Sequence, residues 1–316
     1  MQTTRVLIVD QVGSTNREAF ALADAGCRGP LWLVARRQTA GRGRVDRQWV
    51  SAAGNLHASL LLQLDSPPTA LPQLSLLAGI ATIDAIRAAA PGSAPAGLRL
   101  KWPNDVLIGQ AKCAGILVET TGSLPRLGGL TTLATASPSP LWGRDRVGRI
   151  AEHRRSAVPP PLTPPHKGEG DPVGDRSSPN LILAVIGVGI DLAWHPTGMH
   201  RVATDLAAHG CCVSPEMVLS SLDEAMRHWL AIWNDSGGFA AVRQGWLERA
   251  GPVGEMCTVD TGRERIEGAF AGLDPNGALI VCDSQGQRRT VTFGDVALAA
   301  AAVSPEAPPR APKEAS

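Results

Sequence analysis

The sequence predicts an α+β domain built on a mixed β-sheet with helices, followed by a small all-β module. Two observations carry this. Strand-length apolar runs are interspersed with segments of helical period as far as about residue 250, and from about residue 255 the pattern changes to short β runs separated by Gly, Asp and Asn turns. With 316 residues, 44% hydrophobic and 19% charged, the chain has the composition of a soluble globular protein and the length for one sizeable domain plus a small one.

Taken in order, Val6 to Val12 reads as a strand. GST at 13 to 15 breaks it, and Thr15 with Glu18 offers a T-x-x-E capping box for a helix running toward Ala25. LWLVARRQT (31 to 39) and LHASLLLQL (56 to 64) are strand-like and bracket the loop GRGRVDRQW, while residues 71 to 90 carry helical spacing. Strands continue in LRLKWPNDVLI (98 to 108), KCAGILVET (112 to 120) and LILAVIGVGIDLA (181 to 193), with helices near 215 to 235 and 239 to 250. The late β runs are MCTVD, RIEGAFAGLD, GALIVCD and RRTVTF, the pattern of a small barrel. These readings give a large α+β domain over 1–252, a barrel over 253–303 and a disordered tail over 304–316.

Residues 123–180 stand outside the pattern. They are rich in proline and arginine and lack apolar periodicity, and they separate two runs that would pair as a hairpin. We read them as a disordered insertion at a hairpin tip, which folding tolerates because loop-closure entropy grows slowly with length. The six cysteines form no C-x-x-C, so neither zinc nor a disulfide framework is expected. The net charge of +1 argues against a dedicated nucleic-acid binder. The N-terminus does not have the pattern of a signal peptide, and no apolar run approaches membrane-spanning length, so the expected setting is cytoplasmic, without a membrane partner.

The chemistry-bearing stretches lie at strand ends. In GRGRVDRQW the glycines admit a ligand to the backbone, and the guanidinium forks match phosphate oxygens. A solvated surface loop is the plainer alternative, and neither a Walker motif nor G-x-G-x-x-G is present. KWPNDVLI (101 to 108) breaks at Pro103 and leaves Asn104 and Asp105 at a turn. This is either a routine turn or a carboxylate placed to hold Mg2+ against phosphates. Lys112 opens the apolar strand KCAGILVE, and there it either discourages edge association or offers a fixed cation. GVGID (187 to 191) ends another apolar strand in two glycines and a carboxylate.

In combination, GSTN, RRQTAGRGR with a following R-x-W, KWPNDV, K-x-AGILVE, GVGI and a terminal β module closely resemble the biotin protein ligase family, over nearly the whole chain apart from 123–180 and the tail. The resemblance implies a class II synthetase-like catalytic domain with an SH3-like C-terminal barrel. It also implies an ATP- and Mg2+-dependent reaction: biotin and ATP give biotinyl-5′-AMP and pyrophosphate, and biotin then passes to a lysine of a biotin carboxyl carrier protein. By matching motif positions, it implies biotin contacts from Ser14, Thr15, Asn16, Gln38, Arg42, Lys112, Gly115 and Ile116. Nucleotide contacts are implied from Arg44, Arg47, Trp49, Asn104 and Asp191, catalysis by Lys112 and Arg44, and a metal contact from Asp105.

Two positions depart from the family pattern: Asp46 stands where glycine is usual, and Asp191 where asparagine is usual. Some members carry an N-terminal winged helix and act as repressors. Here the catalytic pattern starts within the first residues, so DNA is not an expected partner. The competing readings are a lipoate or octanoyl ligase, and a biotin-binding homologue with impaired catalysis.

Overall fold

The structure, a computed structural model, describes residues 4–45, 47–121, 181–198 and 202–298. Asp46, the expected insertion and the expected disordered tail lie outside the described residues. Met1–Leu124 and Asn180–Ser316 cluster as one compact unit, which contains both sheets described below.

The first sheet has seven strands: β1 (Arg5–Val12), β2 (Leu31–Gln38), β3 (Leu56–Asp65), β4 (Leu98–Lys101), β5 (Asp105–Ile108), β6 (Ala111–Thr120) and β7 (Leu181–Ile190). Their spatial order is β1-β2-β3-β7-β6-β5-β4. Only the β1–β2 pair is parallel, bridged by α1 (Thr15–Asp24); every other neighbour is antiparallel. β6 and β7 pair directly, Thr120 opposite Ala184, so the long intervening segment does connect two hairpin partners as the sequence suggests.

Period-two alternation sorts the strand residues to two faces. Trp32, Leu60, Ile116, Ile186 and Val188 join a large apolar core with α2 (Leu71–Ala89), α3 (Pro215–Asn234) and α4 (Gly238–Arg249). α2 is buried nearly all round, which explains why its sequence is so uniformly apolar. The opposite face carries a smaller cluster in which Leu33, Leu61 and Val185 meet Ala19 and Ala23 of α1. Beyond that cluster the same face turns polar or small at Ser59, Gly115, Glu119, Gly187 and Gly189, and a cavity opens there.

The second sheet is antiparallel, from β8 (Met256–Asp260), β9 (Arg265–Leu273), β10 (Leu279–Cys282), β11 (Arg288–Val291) and β12 (Asp295–Leu298), in the order β11-β10-β9-β8-β12. β12 was not expected as a strand: its four residues DVAL are too short to show a period, and pairing with β8 defines it. Among the described residues, no helix is long and apolar enough to cross a membrane.

Candidate functional site

The cavity has a volume of about 620 Å3 and is lined by residues of α1 and its N-cap, β2, the arginine loop, β3, the KWPND turn, β6, β7 and the segment that follows β7, plus Asp295 at the start of β12. Every residue singled out from the sequence lies on its wall: Ser14, Thr15, Asn16, Gln38, Arg42, Arg44, Arg47, Trp49, Asn104, Asp105, Lys112, Gly115, Ile116 and Asp191.

One wall is a neutral polar network around the N-terminus of α1. The capping box does not form. Ser14 is the N-cap without a side-chain cap bond, and the buried Thr15 hydroxyl turns to the cavity network instead. Gln38 Oε1 accepts from Thr15 N at 2.8 Å and Thr15 Oγ1 at 3.1 Å, so the helix start is held by a pocket residue. Ser59 Oγ lies 2.7 Å from Thr15 Oγ1 and 2.6 Å from Asn16 Oδ1. Ser59 has one proton and Asn16 Oδ1 can only accept, so Ser59 donates to Asn16. Asn16 Nδ2 donates to Glu119 Oε2 (2.8 Å) and Leu117 O (3.2 Å), which commits the amide to organising the wall. Arg42 Nη2 donates to Glu119 Oε1 at 2.6 Å, while Arg42 Nε is buried without a hydrogen-bond partner among the described residues.

The opposite end is cationic. The arginine loop folds on itself, Gly43 N donating to Arg47 O and Trp49 N to Gly41 O, with Arg42 bridging Gln48. Arg44 reaches Asn104 Oδ1 (3.4 Å) and Gly294 O (3.3 Å), its guanidinium 5.5 Å from the Phe293 ring centre, and Arg47 pairs with Asp295. The loop is therefore tied to the second sheet. Asn104 Nδ2 donates to Ile116 O, stapling the KWPND turn to β6.

Trp49 lies across β6 and β7, where Gly115 and Gly189 leave room: a Cβ at Gly189 would collide with its indole, and one at Gly115 would crowd it and collide with Lys112 Nζ. Its Nε1 donates to His57 Nδ1 (3.4 Å) and His57 Nε2 faces Ala52 O. Burial lowers the His57 pKa, with the Ala52 bond opposing, so the neutral Nε2–H tautomer fits both contacts.

Lys112 owes its aim to a bulge: with Leu107 opposite Lys112, Cys113 is the extra residue of β6. Its Nζ is 2.5 Å from Asp105 Oδ1 and 5.5 Å from the Trp49 ring centre. Asp105 Oδ2 meets Lys101 Nζ at 2.8 Å. Burial would raise the Asp105 carboxyl, but Lys112 and then Lys101 hold it below the ordinary carboxylate range. With both oxygens facing ammonium groups, Asp105 does not fit the metal contact expected of it; its geometry makes it the anchor of Lys112. Among the described residues, no group of three or more His, Cys, Asp or Glu could hold a metal ion.

Sequence reasoning missed Asp295 on the wall and three residues behind it: Ser59 and Glu119, which hold Asn16, and Asn55, whose Nδ2 donates to Asp191 Oδ1. The available signal for Ser59 was a polar residue in the apolar run LHASLLL, and for Glu119 a carboxylate on the same alternation as Gly115.

Comparison with known proteins fits this arrangement. The pattern of the Biotin/lipoate A/B protein ligase family matches residues 10–132, and that of the Biotin protein ligase C terminal domain matches 253–298. The chain is 36% identical over 275 residues to a biotin--[acetyl-CoA-carboxylase] ligase of Paracoccus denitrificans, covering 87% of this chain and 93% of that one. It is 42% identical over 129 residues to the Mycobacterium tuberculosis protein of the same name, covering 38% and 46%. Among solved structures, the biotin protein ligase of Aquifex aeolicus in complex with biotin and ATP superposes with a TM-score of 0.62 at 22% identity, covering 93% of this chain and 98% of that one. The near full-length Paracoccus match settles the assignment: the chain belongs to the biotin protein ligase family.

Proposed function

We propose that the protein is an ATP-dependent biotin protein ligase. It joins biotin to AMP with release of pyrophosphate, then passes the biotinyl group to a lysine of a carrier domain of a biotin-dependent carboxylase. The carrying observation is one cavity whose two ends differ in chemistry, neutral hydrogen-bonding groups at one and arginines and Lys112 at the other. A ureido ring needs both donors and acceptors, which Ser14, Thr15, Gln38 and the unpartnered Arg42 Nε supply. Asn16, Gly115 and Ile116 shape that end.

At the cationic end, Lys112 stabilises charge as the biotin carboxylate attacks the α-phosphorus and pyrophosphate leaves. Arg44 and Arg47 close over the adenylate and keep water from the mixed anhydride. Trp49, Asn104 and Asp191 take the nucleotide. ATP enters as its magnesium complex, the ion travelling on the phosphates. In the second step the carrier lysine amine attacks the acyl carbon and AMP leaves. Residues 1–252 form the catalytic domain and 253–303 the C-terminal one, and the working compartment is the cytoplasm.

The test is pyrophosphate release from biotin and Mg·ATP, followed by the mass gain of an added biotin carboxyl carrier domain. Lipoate in place of biotin should give little release, because its dithiolane offers no partner to the polar wall. A biotin-binding homologue without catalysis would bind biotin and release no pyrophosphate.

A further inference from the structure

Lys101 has no part in the reaction as described, yet its position is unusual for a lysine. It closes β4 and faces Asp105 across the tight Trp102–Asn104 turn, the two Cα atoms being register partners. Its side chain is only 11% exposed. Withdrawing an ammonium from water is costly, and an apolar side chain of similar length would pack there at less cost. What an apolar side chain lacks is the pair of contacts made by Nζ: Asp105 Oδ2 at 2.8 Å on one side and Val296 O of β12 at 3.0 Å on the other.

Those contacts continue to the reacting centre. Asp105 uses its other oxygen, Oδ1, on Lys112 Nζ at 2.5 Å. A carboxylate held by one cation can rotate about χ2 and carry that cation with it, whereas a carboxylate pinned at both oxygens has a fixed plane. The order of contacts is thus Val296 O, Lys101, Asp105, Lys112: a backbone carbonyl of the second sheet fixes one lysine, which fixes the carboxylate that aims the other.

We propose that Lys101 is a positioning residue for adenylate formation, linking the Val296 carbonyl to Asp105 and so holding Lys112 in its reactive place. The inference rests on the ligase reading above. It adds to that reading a physical route by which the C-terminal sheet acts on the first step, through a side chain that touches no substrate.

The experiment is biotin-dependent exchange of pyrophosphate into ATP by the full chain, comparing the unsubstituted protein with Lys101→Met, Lys101→Arg, Lys112→Gln and the Lys101→Met/Lys112→Gln double variant. Misplacement of a catalytic group by about 1 Å can cost on the order of 100-fold, so Lys101→Met should lower kcat at least ~10-fold while the KM values for biotin and ATP move less than ~3-fold. Lys101→Arg, which can still reach both acceptors, should stay within ~3-fold of the unsubstituted rate. On the Lys112→Gln background Lys101→Met should add no further loss, since both changes break one chain of contacts. Unchanged kcat in Lys101→Met, or a loss that multiplies on the Lys112→Gln background, would overturn the proposal and leave the ligase reading standing. No exchange by the unsubstituted chain would instead overturn the ligase reading. Independently of activity, a crystal structure of Lys101→Met should show Asp105 turned and Lys112 Nζ displaced, and an unmoved Lys112 would overturn the positioning role.

Discussion

Asn55 Nδ2 donates to Asp191 Oδ1 at 2.9 Å, and both side chains are buried. The remaining capacity of Asn55 is also spent: Oδ1 accepts from the backbone N–H groups of Leu192, Ala193 and Trp194, and Nδ2 also donates to Trp194 O. Asn55 is therefore fixed, and it fixes Asp191 at the cavity wall. Burial, reinforced by Asp205 and opposed by Lys112, pushes the Asp191 carboxyl up to about 8. At neutral pH the raised value favours the neutral acid, close in shape and charge to the asparagine usual at this place in the family. The charge that the sequence brings to the nucleotide end at Asp191 is largely suppressed at that pH.

A pH dependence follows. The folded value of about 8 lies above the ordinary carboxylate value, so the folded state binds this proton more tightly. The resulting stability is fully present below about pH 4 and is lost as pH rises through the folded value. Asp191→Asn should therefore melt at a higher temperature than the unsubstituted chain at pH 9, by a few degrees or more, with the advantage shrinking steadily as the pH is lowered toward 4. The KM for ATP should rise above pH 8 in the unsubstituted chain and stay flat in the variant. Thermal melts and initial rates at pH 5, 7 and 9 check both.

Lys112→Gln keeps a donor at the cavity but removes the cation. Loss of one preorganised charge-stabilising group typically costs about 100- to 1,000-fold in kcat, and pyrophosphate release should fall by that order. Because Asp105 keeps Lys101 as a partner, the melting temperature should fall only modestly.

Asp295 pairs with Arg47, and Arg44 lies 3.9 Å from it, all three being partly exposed. Such pairs contribute about 0–1 kcal/mol to stability, so Asp295→Ala should leave the melting temperature nearly unchanged. Its effect should appear instead as leakage of the adenylate. Without a carrier, AMP accumulation should exceed that of the unsubstituted chain, as measured by chromatography of the nucleotides.

Gly187 faces Asn16, and a Cβ at that position would overlap Asn16 Oδ1. Gly187→Ala should displace the amide that organises the neutral wall, raising the KM for biotin ~10-fold or more with a smaller change in that for ATP. Steady-state kinetics in each substrate separate the two, and an equal rise in both would argue against the division of the cavity into a biotin end and a nucleotide end.

Much of this site was legible in the sequence because its residues break local rules: glycines ending an apolar strand in GVGI, arginines between two strands, a lysine opening KCAGILVE. What escaped has equally physical reasons. Ser59 and Glu119 sit on a strand face whose neighbours matter only once the sheet is assembled, and Asp295 belongs to a strand defined by its partner. The role of Asp105 depended on Lys101 standing directly opposite, a pairing that reads from the sequence as an ordinary turn. The capping box failed because Thr15 had better use for its hydroxyl inside the cavity.

The large apolar core runs without a break from α2 and the first sheet into Val259, Phe270, Leu279 and Val296 of the second. The two sheets thus share one hydrophobic interior. An amino-acid change that loosens the C-terminal strands will be felt as a loss of the whole enzyme, so inherited or engineered lesions there should resemble active-site defects in a cell even where they touch no substrate.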